Sequence, residues 1–256
     1  MEMSRRLPAS QSVQLALGLV LYVVIGTLVA TMTFNSPHHD MLETWAWGQN
    51  LALGYHKHPP LSGWMAGLWF RVMPRDGWSF HLLAYANAAV GLWAVWLAAG
   101  RLLSGRTRLA AVLLLLLTPF FTFSPAKFNA NTVLLSAWPW TVYLFILSLE
   151  RRTLVSGLLL GVAAAAAMLG KYYSVLLLVS CLAAALLHPA ARAYFRSPAP
   201  YAAVAALLVA VAPHAAWLVA NEYQTVTYAV SKTRPHLSEI VGRGTWAMFA
   251  GLALHL

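Results

Sequence analysis

Residues 12–33, SVQLALGLVLYVVIGTLVATMT, form an uninterrupted run of 22 residues without a single charge. A helix crossing a hydrocarbon core about 30 Å thick needs about 20 such residues, so this stretch predicts a transmembrane helix. Arg5 and Arg6 precede it as they would precede a signal peptide. The apolar run is longer than an ordinary secretory core and lacks a small-x-small cleavage site, so the helix is expected to be retained. The rest of the chain repeats the pattern, with further apolar runs at about 82–104, 109–124, 132–149, 154–169, 173–187 and 199–219 and an eighth opening at Trp246. None of these runs contains an acidic residue.

Composition agrees. Of 256 residues, 60% are hydrophobic and only 9% charged, against roughly a quarter charged in soluble domains. Sixteen glycines, thirteen prolines and one cysteine exclude a collagen, a disordered tail and a disulfide-stapled module. Cys181, alone in an apolar run, reads as a core residue. The expected fold is an all-α polytopic membrane protein occupying the whole of 1–256, with about seven spans plus the start of another. Because the last apolar segment is too short to cross, the chain is expected to be the N-terminal part of a longer protein.

The net charge of +10 would suggest nucleic acid in a soluble protein; among membrane spans its distribution matters more. With the N-terminus in the cytoplasm, the inner side carries nine basic residues, including Arg101, Arg106, Arg108, Arg151 and Arg152, against Glu2 and Glu150. The outer side carries eight against five acidic residues, spread over much longer loops. The positive-inside rule therefore orients the chain N-in, with membrane lipids and not nucleic acid as its surroundings.

Long loops without structure of their own are usually functional, and segment 34–81 is the longest outer loop. It sets His38, His39, Asp40, Glu43, His56, Lys57 and His58 among Trp45, Trp47, Trp64, Trp69 and Trp78. Its apolar spacing predicts two amphipathic helices at the interface, joined by a turn at Gly54 to Pro60. Asp40-x-x-Glu43 has the spacing of a capping box and equally offers a carboxylate as general base. His56-Lys57-His58-Pro59-Pro60 reads as a rigid turn presenting a cation to phosphate, or as a headgroup anchor. The histidines leave room for a divalent metal ion, since neutral imidazole suits zinc, though no pair has a diagnostic helical spacing.

Elsewhere, Lys171 precedes Tyr172 in a short outer turn, where it either snorkels or binds the phosphate of a lipid carrier. Asn129 and Asn131 occupy another outer turn as sugar or pyrophosphate donors or as plain turn residues. His214, after Pro213, is expected to be a hydrogen-bonded packing residue.

Three stretches together resemble a known family: DMLETWAWGQNLALGYHKHPPLSGWM (Asp40 to Met65), GLLLGVAAAAAMLGKYYSVLLL (Gly157 to Leu178) and APHAAWLVANEYQTVTYA (Ala212 to Ala229). They are similar, in order, to the first outer loop, the Gly-rich helix ending in Lys plus an aromatic, and the later Pro-x-x-x-Trp helix end of glycosyltransferase family 39. That family includes protein mannosyltransferases and lipid A aminoarabinose transferases, of the GT-C superfamily. The resemblance implies a GT-C helix bundle in the bacterial inner membrane, with its active site in a periplasmic first loop. It implies transfer of a sugar from a polyprenyl-phosphate donor to lipid A, a lipopolysaccharide core, another lipid or a protein. Asp40 would be the catalytic base, with Lys57, His58 and Lys171 near the donor phosphate. Glu43, Tyr55, Asn129, Asn131 and Tyr172 are candidate supporting residues, and His58 and His236 candidate ligands should a metal be used. In this sequence Met41 follows Asp40 and the second carboxylate, Glu43, comes three residues on, where family members often carry the two side by side, and His58 stands where Lys commonly precedes the two prolines.

A transporter or lipid flippase would also need many apolar helices, but would place ionisable groups near the bilayer midplane; here the spans are nearly free of them. A noncatalytic assembly subunit would use the aromatic loop to hold a partner.

Overall fold

The computed structural model describes residues 9–103 and 105–239. Among them there are only helices and connecting turns: α1 (Ala9–Thr33), α2 (His39–Gly48), α3 (Leu61–Trp69), α4 (Gly77–Leu102), α5 (Gly105–Leu116), α6 (Pro119–Thr122), a 3-10 turn at Ser124–Ala126, α7 (Leu134–Arg151), α8 (Leu154–Gly170), α9 (Ser174–Leu187), α10 (Ala191–Phe195), α11 (Ala199–Ala220) and α12 (Gln224–Glu239). The protein is an all-α polytopic membrane protein. Helices α1, α4 and α11 are each long and apolar enough to cross a bilayer, whereas α8 and α9 are shorter apolar helices. The expected eighth span, from Trp246, lies outside the described residues.

The long helices pack in series, α1 on α4, α4 on α7, α7 on α8 and α8 on α11. Against lipid there is no hydrophobic gain from pairing apolar helices, so close backbone approach over small residues has to hold them. The α8–α11 seam is built that way. Gly157 lies against the Ala199 carbonyl and Gly161 against the Ala203 carbonyl, leaving no space for a Cβ at either glycine. Thr153 starts α8 with a capping box, its hydroxyl accepting from Ser156 N at 3.2 Å while Ser156 Oγ accepts from Thr153 N at 3.1 Å.

One expected span is not a single helix. The apolar run 109–124 breaks after Leu116, and the two parts bend by 72°. Pro119 lacks an amide proton and disfavours helical backbone at the residue before it; Thr118 is accordingly extended. Backbone groups freed by such a break need partners inside a membrane protein. Two tyrosines supply them: Tyr22 of α1 donates to the Phe121 carbonyl at 2.6 Å, and Tyr85 of α4 to the Thr122 carbonyl at 3.0 Å.

The polar residues gather at the two ends of the bundle. At one end Arg101 pairs with Glu150, its Nε 3.1 Å from Oε1. Nearby, buried Arg108 donates to the Trp96 carbonyl at 2.8 Å with its guanidinium 3.6 Å from the Trp96 ring centre. The other end carries α2, α3, the 128–133 turn, the α8–α9 turn and the start of α12. There α2 crosses α3 where Gly48 meets Gly67, a Cβ on Gly48 falling 2.5 Å from the Gly67 nitrogen.

Replacing Gly161 with Leu should pry α8 from α11 and cost about 1–3 kcal/mol, the usual range for overpacking. A lowered melting temperature in detergent would register it. Gly18→Leu, at a position open to its surroundings, should leave the midpoint unchanged.

Candidate active site

The helix carrying Asp40 starts two residues earlier than a capping Asp40 requires. His38 is the N-cap, extended at φ −60°, ψ 146°, and its Nδ1 accepts from the Asp40 amide at 3.2 Å. The capping-box arrangement is therefore not formed: imidazole has taken the capping task and both carboxylates are turned to other partners. Asp40 Oδ2 accepts from Asn129 Nδ2 at 2.8 Å, and Glu43 pairs with Lys57 Nζ across the loop. The Asp40 side chain stays 40% exposed, with His38 Nδ1 3.7 Å and His39 Nδ1 3.8 Å from its oxygens. Oδ2 is thus held by a hydrogen bond, while Oδ1 makes none and has the His39 imidazole at 3.8 Å.

Asn129 is held in turn. Its Oδ1 accepts from the amides of Asn131 (2.8 Å) and Thr132 (3.1 Å), and its own amide donates to Thr132 Oγ1 at 2.8 Å. This is the local side-chain bonding that makes Asn a turn residue. Behind it, the Thr132 carbonyl accepts from Asn87 Nδ2 of α4 at 2.8 Å, and Asn87 Oδ1 accepts from Ser136 Oγ of α7 at 2.6 Å. Buried and satisfied, the chain of bonds anchors the carboxylate partner to two core helices. In the same turn Asn131 Oδ1 accepts from Lys171 Nζ, and Lys127 is exposed.

Lys171 follows α8 as its C-cap. Its ammonium also lies 5.1 Å from the Tyr173 ring centre, and partial burial pushes its pKa below the ordinary lysine value. Lys57 moves the opposite way, raised by its hydrogen bond to Glu43. The two cations therefore differ: Lys57 already has a carboxylate, whereas Lys171 has only a neutral amide.

The predicted turn between two short helices spans 49–60 and is stiff for identifiable reasons. Pro59 and Pro60 are fully buried. Tyr55 stacks on Trp47 at 5.4 Å and 12°, its hydroxyl donating to the Asn50 carbonyl at 3.0 Å. His58 meets the edge of the same Trp47 at 5.7 Å. Burial, reinforced by the positive charge of Lys171, lowers the His58 pKa from 6.5 to about 4. His58 is consequently a neutral imidazole at physiological pH and contributes no positive charge toward a phosphate.

His214 is the packing residue expected. Its Nδ1 lies 2.6 Å from the Leu53 carbonyl and its Nε2 2.8 Å from the Tyr172 hydroxyl. A carbonyl only accepts, so Nδ1 carries the proton and Nε2 accepts from Tyr172. Tyr172, the residue beside Lys171, is thereby fixed to the same loop that carries Lys57.

The start of α12 closes over this loop, a contribution the sequence did not signal. Thr225, fully buried, donates to the Tyr55 carbonyl at 2.6 Å. Gln224 Oε1 lies 3.2 Å from His56 Nδ1, and the Tyr228 ring packs 5.7 Å from His56 and 6.4 Å from His58. To turn back from α11, the chain places Glu222 and Tyr223 at φ 54°, a left-handed conformation uncommon for such residues. The side chain of His236 lies outside the described residues. Among the described residues no group of three or more His, Cys, Asp or Glu is placed to hold a metal ion.

Asp40 and Asn129, Glu43 and Lys57, and Asn131 and Lys171 thus meet at one end of the bundle, from four separate segments. The profile of the dolichyl-phosphate-mannose-protein mannosyltransferase family matches residues 57–217, well over half of the chain. The chain belongs to that family. This is the GT-C grouping that the three sequence stretches resemble. The chain is also similar to the lipopolysaccharide core galacturonosyltransferase RgtA of Rhizobium johnstonii, 28% identical over 243 residues, covering 91% of this chain and 48% of the relative. The chain therefore spans about half the length of that curated relative. No solved structure matches it.

The depressed His58 pKa has a sign that can be checked. Unfolded, the imidazole takes its proton near pH 6.5; folded, it does so only near pH 4. Between these values the unfolded chain binds the extra proton, so this contribution to stability is intact above about 6.5 and is lost as pH falls through 4. The melting temperature of wild type should drop more between pH 7 and pH 4.5 than that of His58→Asn; identical drops would refute the assignment.

Proposed function

We propose that the protein is a membrane glycosyltransferase that moves a sugar from a polyprenyl-phosphate donor to a hydroxyl of a lipid-linked acceptor, with Asp40 as general base. The observation that carries this reading is the half-exposed Asp40 carboxylate, with one oxygen held by Asn129 and the other without a hydrogen bond, 3.8 Å from His39 Nδ1. A general base must be fixed in direction yet within reach of the proton it takes.

In the reaction, the acceptor O–H gives its proton to Asp40 as the oxygen bonds to the anomeric carbon. The bond from that carbon to the phosphate oxygen breaks, and polyprenyl phosphate leaves with the electron pair. Attack opposite the leaving group inverts the anomeric centre. Fixed positive charge at the developing phosphate charge is worth several kcal/mol in preorganised sites. Lys171 suits that role better than Lys57, because its contact with Asn131 leaves its charge uncompensated while Lys57 is paired with Glu43. Lys57 and Glu43 together keep the 49–60 turn against α2, with Tyr55 and Tyr172 supporting the two cations. His58 serves as a neutral wall.

The sidedness of charge supports N-terminus in the cytoplasm, with the site facing the periplasm of a bacterial inner membrane. The name of the relative from Rhizobium johnstonii supports a lipopolysaccharide core as acceptor class. Residues 1–256 would then be the transmembrane catalytic module of the enzyme.

Transfer of radiolabelled sugar from a membrane pool of polyprenyl-phosphate sugars should fall by about 10²–10⁴ in Asp40→Asn, the range general-base catalysis supplies. Asn129→Ala should lower kcat by roughly tenfold without changing donor KM, and Lys171→Met should raise donor KM. An Asp40→Asn protein, correctly folded, with near-normal transfer would remove Asp40 from the mechanism.

A further inference from the structure

A cavity of about 520 Å³ opens beside α2, away from the Asp40 site. Its walls are the end of α1 and the residues after it, Leu42 of α2, and residues 75–81 at the start of α4. Leu42 is two residues from Asp40, and at 100° per residue it points about 200° away from it, so the two sites share α2 without overlapping. The volume lies within the range of small-molecule sites.

The polar groups on its wall are uncommitted. Asp76 is the N-cap of the 26-residue α4, yet its carboxylate makes no capping hydrogen bond. Among the described residues neither Asp76 nor Arg75 enters an ion pair. Arg75 has only the Trp45 ring, 5.9 Å away. His81, 2% exposed, backs this wall with its ring 6.0 Å from that of Phe34. Asn35 on the facing side adds an amide donor and acceptor, and the rings of Phe34 and Trp78, both partly exposed, complete the lining.

These requirements exclude most ligands. A lipid tail would leave Arg75, Asp76 and Asn35 without partners. A bare phosphate would face the Asp76 carboxylate beside the one cation. A hydroxyl-rich ring answers all of them, because each hydroxyl both donates, to Asp76, and accepts, from Arg75, while its C–H face lies on Trp78 or Phe34. We propose that this cavity holds a glycosyl unit of the acceptor glycan adjoining the one that reacts, an inference that rests on the transferase reading above. Asp40 is the second residue of α2, and residues 34–37 of the cavity wall lead directly into that helix. A glycan passing around the tip of α2 at His38 and His39 would thus connect the two sites. Binding energy from this non-reacting unit positions the acceptor hydroxyl at Asp40, as remote contacts do in other enzymes.

The test is binding of delipidated lipopolysaccharide core oligosaccharide to the full-length protein in nanodiscs, followed by saturation-transfer NMR. Gly18→Leu, outside both sites, should bind within twofold of wild type, whereas Trp78→Ala and Asp76→Asn, with unchanged melting temperatures, should each weaken binding at least tenfold. In the active enzyme the same two variants should raise acceptor KM and leave donor KM unchanged. Oligosaccharide affinity indifferent to both cavity variants in an enzyme that transfers sugar would overturn this inference alone. So would displacement of the oligosaccharide by phospholipid, which would make the cavity a lipid site. A wild-type protein that binds the oligosaccharide through the cavity and transfers nothing would instead sink the transferase reading.

Discussion

Hydrocarbon does not solvate charge, and the arrangement of this protein follows from keeping ionisable groups out of it. Helix α1 carries no charge between residues 12 and 33, and α11 none at all. The charges are pushed to the helix ends, where two different populations form. At one end Arg101 and Glu150 pair, and Arg108 is absorbed by the Trp96 carbonyl and indole face. At the other, carboxylates, lysines and asparagines from α2, the 49–60 turn, the 128–133 turn and the α8–α9 turn are driven into one another's company. A polar site at the bundle end is thus a consequence of the apolar seams between the helices.

What distinguishes that site from an ordinary ion-pair cluster is unequal compensation. Glu43 and Lys57 cancel each other, and this pair staples the loop to α2. Asp40 and Lys171 are each held by an asparagine of the same turn, which fixes direction without neutralising charge. One acid and one cation are therefore each hydrogen-bonded by a neutral amide of the same stiff turn. That turn is rooted through Thr132 and Asn87 in α4, so motion of Asp40 relative to Lys171 has to be carried by the core. Conversely, His214 and Thr225 tie the 49–60 loop to α11 and α12 through its backbone carbonyls, and His56 adds a side-chain contact to Gln224 and Tyr228.

The apolar helices were legible because one requirement, a long run without charge, sets them, and α1, α4 and α11 are long and apolar enough to cross a bilayer. The described helices agree with the runs to within a few residues, apart from α4, which begins five residues early at Gly77, and the run 109–124, which is broken. The two short helices and the turn at Gly54 to Pro60 were legible for the same kind of reason, from spacing and proline. The break at Thr118 was not read, although Pro119 stood in plain view, because an apolar run says nothing about where its backbone bonds go; Tyr22 and Tyr85, about 100 and 37 residues away, decide that. At α2 the spacing of Asp40 and Glu43 fits a cap, yet His38 is the cap, because Asn129 and Lys57 compete for the carboxylates from distant segments. Asn129 and Asn131 were visible as residues of the right type, but which carboxylate or cation each would meet was not. Tyr228, Thr225 and Gln224 fall in the third family-like stretch, but nothing in their spacing showed that the start of α12 would cover the 49–60 loop.

The account depends most directly on Asp40 being held against the turn at Asn129 in the folded membrane protein. Cysteines replacing both residues, D40C with N129C in a C181S background, can be treated in membranes with a short bifunctional thiosulfonate. The account predicts rapid cross-linking of this pair and none for D40C with L187C, at the far end of α9. Equal, slow reaction of both pairs would contradict it, since the carboxylate would then have no fixed neighbour and the site no fixed base.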